Sequence, residues 1–507
     1  MTPPPRPSGK RTTRASANRP MRDLLQNPLC NATDLGEPIP DSAHATSVCL
    51  PLWQDNIGYE EGEPRVVDAL RAGYPRFVFH PLTANLFRQC ERQFGFDRCL
   101  AFPSVNAARR CLQFTDAALP EHEHIRELDG IFAVGLPEAR FDRAKQYWQH
   151  AGEGISSRLA AAVAAGQTAA PTSATLTTIR SYIGELIDAD PGDVYLYASG
   201  MAAGFTMFRA LHELAPDRKF VQFGFPYVDT LKILEKFGGG VHFFVRGDAA
   251  ELDELETLLA GGERIGGLFC EFPGNPTLHS PDLQRLRTLA DRYDFPIVVD
   301  DTIGTFANVS VLPIADAVTS SLTKHFSGVG DVMAGSLVLN AQQRFFEPLK
   351  TWLEADDAAF LYAEDAERLE ANSRDFSERM ARFNANGEAF CDWLQAQPQI
   401  AKVCYPKYQT DDAYDRCRRD GGGYGSLCSV IFENEAVCAP RFFDAVRVNK
   451  GPSLGTNYTL ICPYTILAHY HELEFAETSG VSRYLVRVSI GLEDVDDLKS
   501  RFTAALA

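Results

Sequence analysis

Short apolar runs alternate with longer amphipathic stretches between about residues 175 and 340. The runs at 194–198, 219–224, 241–245, 266–271 and 296–300 read as strands, and 177–187, 199–213, 228–237 and 250–259 read as the helices between them. Such alternation predicts an α/β domain with a large, mostly parallel sheet covered on both faces. Ligands of such sheets sit at the carboxyl ends of the strands. One further helix is signalled by Ser280 as N-cap, Pro281 at the first helical position, and Leu283, Leu286 and Leu289 at helical spacing. Two more segments, a strand end at 315–319 and a buried strand over 331–339, bracket Lys324.

The pattern changes outside this block. Residues 1–28 are rich in Pro, Ser, Thr and Arg, have no apolar period, and are expected to be a disordered basic tail. Residues 29–165 are expected to form an N-terminal arm and a mostly helical region, with 36–83 alternating turns and short aromatic segments and helices at 105–117 and 139–151. The Ala/Thr/Pro-rich 166–174 reads as an exposed loop opening the large domain, 166–342. Residues 343–507 hold charged connector helices (343–397) and a smaller α/β domain, with strand 427–433, helix 439–446, strand 483–490 and helix 493–506.

Composition narrows the function. A chain of 507 residues is too long for one core. Its net charge of −18 disfavours nucleic acid and anionic membrane as partners. No apolar run is long enough to span a bilayer. The 12 cysteines form no C-x-x-C pair and suggest neither a metal site nor a disulfide framework, so reduced thiols in a cytoplasmic protein are the simplest expectation. The acid-poor, Arg-containing start is also compatible with an organelle transit peptide.

The candidate chemistry gathers at strand ends. A lysine held between two strands, as Lys324 is, is desolvated, which favours the neutral, nucleophilic amine. The hydroxyls of Ser321 and Thr323 beside it can grip a phosphate, and an imine-forming lysine next to a phosphate grip suits pyridoxal 5′-phosphate (PLP). Ser199-Gly200-Met201 turns from a strand into a helix whose free amides favour an anion. Asp300, 24 residues before Lys324, can hold a pyridine nitrogen protonated. Asn275, between Gly274 and Pro276, can bond a ring hydroxyl, and Tyr227 can stack on a ring. Each has a plainer reading alone: Asp300 as a turn residue, Asn275 as a strand terminator, Tyr227 as core, Glu271 as a brace for the Asn-Pro turn. Their common place at strand ends, in this order, favours the site.

Ser199-Gly200-Met201-Ala202-Ala203, Glu271-Phe272-Pro273-Gly274-Asn275-Pro276-Thr277, Val298-Val299-Asp300-Asp301-Thr302, Ser321-Leu322-Thr323-Lys324 and Leu485-Val486-Arg487-Val488-Ser489 together resemble the motifs of the Cys/Met-metabolism PLP enzymes. Ser47-Val48-Cys49-Leu50-Pro51-Leu52-Trp53, Gly58-Tyr59-Glu60-Glu61-Gly62, Gly73-Tyr74-Pro75-Arg76-Phe77 and Gly154-Ile155-Ser156-Ser157-Arg158 resemble the fungal-type cystathionine γ-synthases of that family. The resemblance implies PLP fold type I, the aspartate-aminotransferase-like fold, and a homodimer or homotetramer with shared active sites. It implies Lys324 as Schiff-base lysine and proton shuttle, Asp300 on the ring nitrogen, Tyr227 stacked and catalytic, and Arg487 on the substrate carboxylate, with Ser453, Asn275 and Tyr458 also in the substrate site. Tyr458 stands where the family has an acidic residue. For the contact to a neighbour's phosphate Arg158 is the first candidate, and Tyr74 with Arg76 the second. The implied reaction is γ-substitution on an O-acetyl- or O-succinylhomoserine by cysteine, through an external aldimine and a vinylglycine-type intermediate, to give cystathionine in methionine biosynthesis. The alternatives are a γ-lyase or C–C bond formation with a carbon nucleophile in secondary metabolism. A non-catalytic protein on the same fold would have no need of Lys324, Asp300 and Arg487 together.

Overall fold

The computed structural model describes residues 22–167, 173–356 and 361–507. Most of the loop expected at 166–174, and residues 1–21 of the expected tail, lie outside the described residues. Residues 22–28, expected to be disordered, are instead tied down. Leu24 is buried in a small cluster with Leu29, Ile39 and Cys49, and the Arg22 guanidinium pairs with Asp34 at 2.9 Å.

The arm forms a hairpin of β1 (Pro38–Ile39) and β2 (Ser47–Val48), then a helix, Trp53–Glu60. It packs on the small domain. The Asn449 side chain accepts from the Leu29 amide and donates to the Leu24 carbonyl, the Trp53 amide donates to Asp444, and Trp53 joins the small-domain core. The stretch expected to be mostly helical contains an antiparallel sheet of β3 (Arg98–Phe102), β4 (Ile125–Leu128) and β5 (Ile131–Leu136). Helical periods at Val105–Thr115 and Phe141–Ala151 hid it, because β3 and β5 are short apolar runs without alternation, which periodicity alone does not assign.

Among the described residues the large sheet has seven strands: β6 (Val194–Tyr197), β7 (Phe220–Phe223), β8 (Val241–Phe244), β9 (Leu268–Glu271), β10 (Ile297–Asp300), β11 (Ala317–Ser321) and β12 (Gly335–Leu339). Their spatial order is β6-β12-β11-β10-β9-β7-β8, and β12 alone is antiparallel to both neighbours. Alternate residues serve different cores. Val298 packs with the N-terminal sheet and its helices, while Ile297 and Val299 pack on the other face. The parallel register sets Asp300 beside Glu271 on one side and Thr319 on the other. The strand expected over 331–339 begins only at Gly335, where a Cβ would lie 2.3 Å from the Ser199 carbonyl oxygen, so only glycine lets β12 run this close to the Ser199 turn. The helix expected to start at Ser280 starts at Leu283, because Asp282 caps it through the Arg285 amide at 3.0 Å while Ser280 is buried against Gln409.

Three helices, Phe346–Ala355, Ala363–Ser373 and Phe376–Gln395, lead to the small domain. Its sheet comprises β13 (Ile400–Cys404), β14 (Leu427–Phe432), β15 (Asn449–Lys450), β16 (Leu460–Pro463) and β17 (Val486–Ser489), in the order β13-β14-β17-β16-β15. Arg487 lies on the central strand β17, in register with Ser429 and Cys462. All 12 cysteines are unpaired thiols. Among the described residues no helix is long and apolar enough to cross a membrane.

Candidate active site

A cavity of about 1220 Å³, counting its open mouth, lies where the carboxyl ends of β9, β10 and β11 meet the small domain and the arm. Lys324 projects into it from the turn after β11. Its Nζ donates to the Tyr74 hydroxyl and the Ser453 hydroxyl, each at 3.1 Å, and sits 4.4 Å from the centre of the Tyr74 ring. Burial pushes the Lys324 pKa below its ordinary value; Tyr74 opposes that shift, and the guanidinium groups of Arg487 and Arg76 add to it. Burial alone would raise the Tyr74 phenol, but the adjacent Lys324 and Arg76 cations outweigh it and hold the phenol below its usual range. The two atoms are therefore suited to pass a proton between them.

The phosphate end is built from two turns. Ser199 caps the helix Gly200–Leu214, accepting from the Ala202 amide at 3.0 Å and donating to the Gly152 carbonyl at 2.9 Å. The Gly200 and Met201 amides are among those a helix cannot satisfy internally, and both residues line the cavity. A Cβ on Gly200 would lie 2.8 Å from the Ser321 Cβ, so glycine lets this turn close on Ser321 and Thr323. The Thr323 hydroxyl partly spends itself on the Ala334 backbone, accepting from its amide at 3.1 Å.

At the other end Asp300 accepts from the Thr302 amide at 2.9 Å, and the Thr302 hydroxyl accepts from the Ser321 amide at 2.7 Å, which ties the carboxylate to the phosphate turn. Burial raises the Asp300 pKa against the pull of Thr302. Burial, then the neighbouring Asp300 charge, pushes Glu271 up to about 8, although it accepts from the Tyr227 and Asn275 amides at 2.5 and 3.0 Å. Asp300 has no cation partner among the described residues. A protonated ring nitrogen would complete it.

Arg487 forms the third wall. Its guanidinium donates to Asn275 Oδ1 at 3.1 Å and to the Ser453 carbonyl at 2.8 Å, and it lies 5.0 Å from the Tyr464 ring centre. Asn275 in turn donates to the Tyr464 hydroxyl at 3.0 Å. A planar cation held in this way presents its free edge to a carboxylate.

Twelve of the sequence candidates line this cavity: Tyr74, Arg76, Ser199, Gly200, Met201, Tyr227, Asn275, Asp300, Ser321, Thr323, Ser453 and Arg487, together with Lys324. Two do not. Arg158, the first candidate for a phosphate contact, lies in an adjoining hollow, where its guanidinium is taken up by Asp365 at 3.0 Å and the Asp331 carbonyl at 2.8 Å. Arg76, the second candidate, enters the cavity from the chain's own arm, and its guanidinium bonds the Tyr227 hydroxyl at 2.5 Å and Asp229 at 2.5 Å. Tyr458, expected in the substrate site, is buried away from it in the cluster beneath the arm, with its hydroxyl donating to the Val329 carbonyl at 3.2 Å. A phenol there fills apolar space that a carboxylate could not. Thr302, Glu60 and Tyr464 also line the cavity and are not among the candidates the sequence points to. Thr302 lies two residues after Asp300 within the Val298–Thr302 motif and Glu60 stands in the Gly58–Gly62 motif, so likeness to known members was the available signal for these two.

The chain thus has the architecture and donor set of a fold type I PLP enzyme: an amine for the aldehyde, a carboxylate for the ring nitrogen and a helix N-terminus with hydroxyls for the phosphate. It belongs to the Cys/Met metabolism PLP-dependent enzyme family, whose model matches residues 163–507, and a fungal trans-sulfuration enzyme N-terminal domain matches residues 82–156. It is similar to cystathionine gamma-synthase of Neurospora crassa, 38% identical over 93% of this chain and 98% of that protein. It is also similar to the cystathionine gamma-synthase-like enzyme iboG2 of Amanita muscaria, 35% identical over 96% of this chain and 98% of that protein. Among solved structures it resembles cystathionine gamma-lyase from yeast, 26% identical with a TM-score of 0.58, covering 66% of this chain and 85% of that one. The cofactor is PLP, and the protein is a cystathionine γ-synthase-like PLP enzyme.

Proposed function

We propose that this enzyme catalyses γ-substitution on an O-acylhomoserine, acetyl or succinyl, with cysteine as the acceptor, giving cystathionine. The observation that carries this reading is the position of Lys324 Nζ, between the Tyr74 and Ser453 hydroxyls and in the same cavity as the Arg487–Asn275 clamp. PLP, when bound, supplies an electron sink for carbanions at Cα and Cβ of the substrate. Arg487 and Asn275 hold the substrate α-carboxylate, which fixes the Cα–H bond relative to Nζ. Lys324 Nζ, favoured as the neutral amine, takes the Cα proton, and later a Cβ proton, as general base. The Tyr74 hydroxyl relays protons to and from Nζ. The Cγ–O bond then breaks, the acyl group departs as a carboxylate, and the thiolate of cysteine forms the new Cγ–S bond. Lys324 returns a proton to Cβ and then to Cα.

The donor half of this reading is common to γ-lyase and carbon-nucleophile reactions. The apolar side chains of Leu467 and Ala468 in the cavity wall favour the second of these as the competing reading. One assay separates them: O-acetyl- and O-succinylhomoserine with and without cysteine, with products identified by mass spectrometry. Cystathionine is the expected product. Release of 2-oxobutyrate and ammonia at a rate that cysteine leaves unchanged overturns the synthase reading.

Arg487→Lys tests the clamp. Lysine keeps the charge and loses the planar fork. Hydrogen bonds to charged groups are worth about 1.5–3 kcal/mol, so kcat/KM for the acylhomoserine is expected to fall about 10–100-fold, chiefly through KM. An unchanged KM would place the carboxylate elsewhere.

A further inference from the structure

Each charged side chain already assigned in the cavity has its partner or its task. Lys324 rests on Tyr74 and Ser453, Arg76 on Asp229 and Tyr227, Arg487 on Asn275 and Ser453, and Glu271 on two backbone amides. Asp300 is reserved for the ring nitrogen. One charge remains. Glu60, at the end of the arm helix Trp53–Glu60, lines the same cavity, and among the described residues no hydrogen bond or ion pair satisfies its carboxylate. It is half-buried, and burial pushes its pKa up to about 8 with no cation to counter it.

The helix that carries it is firmly anchored. Asn56 donates to the Leu52 carbonyl at 2.8 Å, Asp55 pairs with Arg65 at 2.7 Å, and Glu61, the next residue, accepts from the Tyr470 hydroxyl at 2.5 Å. Glu60 therefore stands on a rigid element, on the wall it shares with Leu467 and Ala468. An unpaired carboxylate in a walled site is costly, and its natural complement is a ligand that brings a cation. The donor's own amine is consumed at PLP and its carboxylate is held by Arg487, so the cation has to come from the second substrate.

We propose that Glu60 receives the ammonium group of the acceptor amino acid, and so selects cysteine over thiols or carbon nucleophiles that lack an amine. This rests on the γ-substitution reading above. It gives Glu60 a specificity role rather than a part in proton transfer at the donor.

The test compares cysteine with 3-mercaptopropionate, the same thiol without its amine, in the wild-type holoenzyme, Glu60→Gln and Glu60→Asp, using the acylhomoserine that the wild type accepts. In Glu60→Gln the KM for cysteine is expected to rise about 10–100-fold, in line with loss of one charge-assisted contact. The KM for 3-mercaptopropionate is expected to stay level, because that thiol brings no ammonium group to lose its partner. Glu60→Asp is expected to keep part of the preference for cysteine. Equal changes for both thiols, or no change for cysteine, overturn the proposal while leaving γ-substitution intact. A wild type that forms a thioether with neither thiol overturns the γ-substitution reading, and this inference with it.

Discussion

Lys324→Ala is expected to lower kcat by at least about 10³-fold with O-acylhomoserine and cysteine, the scale on which a positioned acid–base group acts. The amine takes and returns every proton in the reaction, and among the described residues no second amine lines the cavity. Tyr74, 3.1 Å from Nζ, cannot replace it, because its own proton is passed through the amine. The fold is expected to survive. Nζ bonds only the Tyr74 and Ser453 hydroxyls among the described residues, and removing a desolvated amine relieves a burial penalty. Circular dichroism and thermal melting check the fold, and stopped-time product assays check kcat. A variant that keeps a tenth of wild-type activity would show that the proton carrier is another group.

Asp300→Asn is expected to have the next largest effect, with opposite consequences for activity and stability. An opposed charge shifts a neighbour's pKa by about 1–3 units, so removing the carboxylate lets the ring nitrogen lose its proton near neutrality and costs about 10–10³-fold in kcat. The free protein responds in the other direction. Burial raises the Asp300 pKa in the folded chain above its value of 3.8. A carboxyl with a raised folded pKa gives its full contribution below the unfolded pKa, and that contribution is lost as pH rises towards the folded pKa. Wild-type protein stripped of PLP therefore carries a penalty at neutral pH that Asn does not. Apo Asp300→Asn is expected to melt higher than apo wild type at pH 7, and the gap is expected to close towards pH 4. A variant of unchanged activity, or an apo form that melts lower at pH 7, would separate Asp300 from the cofactor.

The large domain was legible because local signals and fold agree there. In β9 and β10 an apolar run ends on a carboxylate, and the parallel register then brings Glu271 and Asp300 together. The candidates on these strand ends share a cavity because a parallel sheet puts its carboxyl ends on one edge. The arm was less legible, since its contacts span the chain. Tyr74 meets Lys324 across 250 residues and Arg76 meets Tyr227 across 151, distances over which pattern carries no information. Arg158 lies nearer to Gly200 in sequence than Arg76 does, yet Asp365, 207 residues away, occupies its guanidinium. Glu60 read as one more acid in an acidic chain. Its meaning comes from the absence of a partner within a cavity, which sequence does not display.

The most direct measurement is reduction of the purified holoenzyme with borohydride, followed by peptide mapping by mass spectrometry. The pyridoxyl adduct is expected on the peptide that contains Lys324. Finding it on another lysine, or finding none, would contradict that expectation.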